Sequence, residues 1–177
     1  TTETAMAQTT SSQLSPEQFA AAQEELEQVF PLLQQETAGK AELGVRTLSE
    51  SSCLRAEIRE QQEQTRWEGI LRGAPADAAG AGAAVDALVA ALQKQGWTVD
   101  REANSPDEEN GTVREVILHH GGIYATVTYS RSDVEPEHTV EVLAVTGCTD
   151  HPHDHQMLRS PLDPQYGTSS QYDPAGA

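Results

Sequence analysis

Apolar residues recur at spacings of three and four from Phe19 through Ala22, Leu26, Val29, Phe30 and Leu33, which predicts an amphipathic helix. Ser15 can cap it, Pro16 suits the first helical position, and Gln18 stands where a capping box needs it. Glu24, Glu25 and Glu27 fall off the stripe, toward water. Pro31 is expected to kink this helix or end its first part, and Gly39 to stop it. A second stripe, Val85, Leu88, Val89 and Leu92, predicts another helix, with Asp77 as its cap and Gly96 at its end.

Period two takes over elsewhere. Residues 65–72 alternate loosely around Trp67, Gly69 and Leu71 and predict a short strand. Residues 97–101, 113–119, 123–130 and 139–146 predict four more, with Ile123, Ala125, Val127 and Tyr129 alternating against Thr126 and Thr128. Gly121-Gly122 signals a tight hairpin, residues 133–138 a looser turn, and residues 104–111 an acidic turn. Residues 40–64 fit neither period: Leu43, Val45 and Leu48 can lie extended, and 53–64 has helical composition, so an irregular or partly helical connection is expected. The pattern is that of an α+β fold, a mostly antiparallel four- to five-stranded sheet with two main helices packed on one face.

The chain has 177 residues, enough for one domain with tails. Both ends are poor in groups to bury. The expected layout is a flexible leader over 1–14, a single α+β domain over 15–149 and a flexible tail over 150–177. A formal charge of -17 disfavours nucleic acid and anionic lipid as partners and leaves basic partners, cations or simple solubility. No window approaches the roughly 18 apolar residues that a membrane-spanning helix needs.

The two cysteines, Cys53 and Cys148, bracket most of the patterned sequence. If strand 65–72 lies antiparallel beside strand 139–146, the start of one is near the end of the other, and the cysteines come within range. A disulfide between them implies an oxidising, extracytoplasmic compartment, either secreted or on the outer face of the cell membrane. It would stabilise the fold by roughly 4 to 5 kcal/mol on the chain-entropy account. The alternative is two buried thiols acting as small apolar residues.

Chemistry-bearing residues cluster at 150–155, where His151, His153 and His155 alternate with Asp150, Pro152 and Asp154. Such imidazoles can bind zinc, nickel or copper, although Pro152 and the tail-like context also suit a solvated loop. His119 and His120 must point to opposite sides of a strand, so they cannot share one ion. Glu57 and Glu68 lie near Trp67 without a second catalytic group, and Ser51 and Ser52 lack the glycines of a nucleophile elbow. No residue is assigned a catalytic role, and no cofactor is expected. The stripe Phe19, Leu26, Phe30 and Leu33 is either core or, if the helix projects, a face for a partner's groove.

Residues 66–148 have a further cadence. Arg66-Trp67 opens a strand, an Ala-rich helix follows, then Gln95-Gly96-Trp97-Thr98-Val99, three short strands and Gly147-Cys148. This resembles a loose group of secreted proteins and lipoproteins of high-GC Gram-positive bacteria (actinobacteria). The resemblance implies an envelope location and an α+β fold, and no activity.

The expectation is therefore a non-enzymatic accessory or protein-interaction module of a bacterial cell envelope, with an envelope or membrane protein as partner. The alternative is an envelope carrier domain for a small ligand or metal. A hydrolase would need carboxylates or histidines gathered from distant segments.

Overall fold

A computed structural model describes residues 13–107, 111–131 and 137–168. Most of the expected leader (1–12), part of the acidic turn (108–110), part of the looser turn (132–136) and the end of the tail (169–177) lie outside the described residues.

Helix α1 (Pro16–Thr37) opens on the capping box: the Gln18 N–H donates to the Ser15 hydroxyl, and the Gln18 side chain accepts from the Ser15 N–H. Pro31 does not end it. The ring lies on the solvent side, where the backbone acceptor it leaves without a partner can bond water. The chain leaves the helix through Gly39 in the left-handed region (φ +81°). Helix α2 (Ala78–Lys94) is capped by Asp77, whose carboxylate accepts from the Gly80 N–H.

The strands are β1 (Gly44–Ser52), β2 (Gln64–Gly73), β3 (Thr98–Asp107), β4 (Gly111–His120), β5 (Ile123–Arg131), β6 (His138–Thr146) and the short β7 (Thr149–Asp150). Their order is β1-β2-β6-β5-β4-β3, antiparallel throughout, with β7 beside β2 past the end of β6. The α+β class holds, but among the described residues the sheet has seven strands rather than four or five. The added strands are the two-residue β7 and the longer β1. The core-facing positions of β1 include Leu48 and Glu50, and a carboxylate at a core position hides the alternation. Residues 53–64 contain only a single turn of 3₁₀ helix, Gln61–Glu63.

One face of the sheet packs against the helices. Leu48, Gly69, Ala144, Ala125, Leu118 and Val99 lie side by side across six strands. Gly69 lets α1 approach closely, with Phe30 directly over it, while Ala144 and Ala125 lie on the strands that pack against α2. Phe19, Leu26, Phe30 and Leu33, considered above as a partner-facing stripe, are core residues between 0 and 8 % exposed. The opposite face carries a second row, Ile70, Leu143, Thr126 and Ile117, which is half-buried.

Strand β2 lies antiparallel to β6 in the arrangement that brings the cysteines together, and Cys53 and Cys148 are joined by a disulfide. Gly121 and Gly122, both at positive φ, turn β4 into β5. After Cys148 the chain does not trail away. Residues 151–163 form a strap across the end of β2 and along the outer edge of β1, with Met157, Ser160 and Asp163 buried.

Candidate functional site

The site begins with Glu50, a carboxylate placed on the core face of β1 opposite Trp67 and only 1 % exposed. A buried carboxylate must be hydrogen-bonded or paired. Two elements supply the partners. Thr65, at the start of β2 on the same face, donates its hydroxyl proton to Glu50 Oε1 at 2.6 Å. The strap supplies the rest: His155 Nε2 lies 2.8 Å from Oε1, and the Leu158 N–H donates to Oε2 at 2.5 Å.

His151 completes the cluster. Its Nε2 is 2.7 Å from the Thr65 hydroxyl oxygen and 3.5 Å from Glu50 Oε1. The rings of His151 and His155 stack with centroids 3.6 Å apart and planes 4° from parallel, and Phe19 packs edge-on against His151 at 5.3 Å. The backbone fixes this placement, because the His151 N–H donates to the Glu63 carbonyl and the His155 N–H to the Pro152 carbonyl.

Proton counting sets the tautomers. A carboxylate only accepts, so His155 donates through Nε2–H. Thr65 has one hydroxyl proton and gives it to Glu50, so His151 also donates through Nε2–H. Burial, and then the neighbouring His155, push the His151 imidazole below its ordinary value, against the raising pull of Glu50 and Asp150. The neutral form is the one that binds a metal.

The donor spacing suits one ion. A tetrahedral centre with bonds of about 2.0–2.1 Å holds its donors roughly 3.3 Å apart. The Glu50 oxygen lies 2.8 Å from one imidazole nitrogen and 3.5 Å from the other, and all three donor atoms fall within 4.8 Å of one another. Both imidazoles must shift their proton to Nδ1, and the two ring planes must splay, because lone pairs of parallel rings do not converge.

Of the three histidines read from the sequence, the structure brings together His151 and His155 and turns His153 outward. The His153 side chain is 86 % exposed and bonds Glu63 at 2.6 Å, which raises its pKa, first through the hydrogen bond and then through the carboxylate charge. Glu50 and Thr65 were not legible as site residues. They are 105 and 90 residues from His155 in sequence, and only the β1–β2 pairing unites them. The disulfide lies at the same end of the sheet, with the Cys53 N–H donating to the Gln64 carbonyl.

The remaining candidates are separate. His119 pairs with Asp100, and His120 with Glu25 on the other side of the sheet, as strand alternation requires. Glu68 bonds Arg66 on the face away from the helices, while Glu57 is exposed. Comparisons of the chain with protein-family models, with curated proteins and with solved structures return no match.

Proposed function

We propose that this chain is a non-enzymatic, extracytoplasmic binding module of a bacterial envelope whose site takes one divalent transition-metal ion. The ligands are Glu50, His151 and His155. The observation that carries the reading is the convergence of two imidazole nitrogens and a 1 %-exposed carboxylate from β1 and the strap, with the carboxylate oxygen 2.8 and 3.5 Å from the nitrogens. Two imidazoles and a carboxylate suit zinc, copper or nickel better than calcium or magnesium, which prefer oxygen alone. The Thr65 hydroxyl or a water fills the fourth position. A charge of -17 draws cations toward the molecule. The disulfide agrees with an oxidising compartment, and no described helix is long and apolar enough to cross a membrane. The His151 and His155 side chains are 10 % and 19 % exposed, which leaves little room beside the ion for a substrate. That enclosure supports binding rather than turnover.

The test is titration of the chelator-treated, disulfide-intact protein with zinc, nickel and copper, read by calorimetry. One ion per chain is expected. Glu50→Gln and His155→Ala should each weaken it by roughly tenfold or more, while His153→Ala leaves it unchanged. Absent binding, or equal binding by all four proteins, would sink the reading.

A second reading, an accessory module that docks an envelope protein, is favoured by the sheet face opposite the helices. There Ile70, Leu143 and Ile117 share a row, next to Val145 and to Tyr124, which is 47 % exposed. Crosslinking in native envelopes tests it: a stoichiometric partner lost on Leu143→Asp supports it, and recovery of the protein alone does not.

A further inference from the structure

The three proposed ligands are divided between two parts of the molecule. Glu50 belongs to the sheet, and both histidines belong to the strap. The strap in turn covers the outer edge of β1. The Glu50 N–H donates to the Leu158 carbonyl and the Ser160 N–H to the Leu48 carbonyl, both at 2.9 Å, with Ser49 and Arg159 bridged between them. Further along, Asp163 Oδ2 accepts from the Leu48 N–H at 2.8 Å and the Thr47 hydroxyl at 3.1 Å. These contacts occupy the edge groups that otherwise stand open for another strand. Apart from Met157, the buried residues of the strap are polar, so the strap is held mainly by hydrogen bonds to β1 and by the cluster at Glu50.

We propose that the metal ion controls the strap: occupancy of the Glu50–His151–His155 site closes residues 151–163 over the β1 edge, and loss of the ion loosens them. The inference rests on the metal reading above and adds its regulation. The physical basis is linkage. A site built from both halves exists only in the closed state, so the ion stabilises closure by as much as closure improves its binding. With free metal at about a hundred times its dissociation constant, the open state becomes about a hundredfold rarer. Opening frees the backbone groups of Leu48 and Glu50, the positions where an extended segment of another chain could pair.

The experiment is residue-resolved amide exchange on the full, disulfide-intact chain, with chelator and with zinc, alongside calorimetric titration of the same samples. The readouts are the N–H groups of Leu48, Glu50 and Ser160, all bonded across the strap, with Leu118 in the core as the internal reference. Zinc is expected to slow exchange at the three amides by up to about a hundredfold relative to Leu118. A second variant tests the same linkage. Asp163→Ala removes a strap anchor that is no ligand; in chelator it should raise exchange at Glu50 and Ser160, whose hydrogen bonds it does not supply, and saturating zinc should lower that exchange again by the factor seen in the wild type. If zinc binds one per chain but the three amides exchange as before, or if zinc leaves the faster exchange of Asp163→Ala in place, the coupling is wrong and the metal reading stands. If zinc does not bind the wild-type chain, the metal reading falls and takes the coupling with it.

Discussion

Glu50 and Leu158 exchange two hydrogen bonds across 108 residues of sequence: the Leu158 N–H donates to Glu50 Oε2, and the Glu50 N–H donates to the Leu158 carbonyl. The first is charge-assisted and fully buried at its acceptor, which makes it the stronger of the two. Glu50→Gln keeps the volume but removes the charge and replaces one acceptor oxygen by a donor, so His155 and Thr65 must give up donating to this position and reorganise. A loss of about 1–3 kcal/mol is expected in urea unfolding of the metal-free protein. An unchanged midpoint would show that the carboxylate charge does not hold the strap.

Two histidines of the strap should titrate in opposite directions. The folded pKa of His151 lies below its ordinary value of 6.5, so its contribution to stability is complete above that pH and is lost as pH falls through the lowered value. In chelator, the thermal midpoint should therefore decline below about pH 6.5, and His151→Asn should flatten that decline. His153 has the reverse sign: raised by Glu63, its contribution is present below 6.5 and lost as pH rises through the raised value. Ring-proton NMR titration checks both, and two midpoints on the same side of 6.5 contradict the geometry.

The Cys53–Cys148 bridge closes most of the sheet within one covalent loop. Replacing both cysteines by serine should lower stability by about 2–5 kcal/mol in guanidinium unfolding. Thr149, next to Cys148, pairs with Thr65 in the cluster, so the same variant should loosen the site. A loss of stability without any change at the His151 ring would separate the two effects.

Gly69 is required by contact, not by backbone conformation. A Cβ there would lie 2.5 Å from the Phe30 ring and 2.9 Å from Leu48 Cδ1. Gly69→Ala should cost about 1–3 kcal/mol through overpacking. Phe30→Leu combined with it should recover part of that loss, giving a coupling term in a double-mutant cycle.

The helices were legible because each carries its own start, stripe and stop within a short window. Ser15 with Gln18, Asp77, Gly39 and Gly96 needed no distant partner to be read. The cysteine pairing was legible as a consequence of setting strand 65–72 beside strand 139–146, the arrangement that β2 and β6 adopt. The site was opaque for the opposite reason: Glu50 looks like a surface residue unless its partners are known, and those lie on a neighbouring strand and on the strap. The strap itself reads as a tail because its buried anchors, Ser160 and Asp163, are polar. What makes them structural is the backbone of β1, which composition does not reveal. The turn at 152–155, closed by the His155 N–H on the Pro152 carbonyl, points His153 away from its two neighbours, where strict alternation would have kept all three on one side.

The donor set spans 105 residues from Glu50 to His155, and the intervening strands must pair before its two ends meet. A peptide carrying only residues 150–155 therefore has the imidazoles without the buried oxygen. A chain still being made has Glu50 without the imidazoles. On the metal reading, capture of an ion would require these contacts of high sequence separation, so it would report a chain whose β1–β2 pairing and strap are both in place.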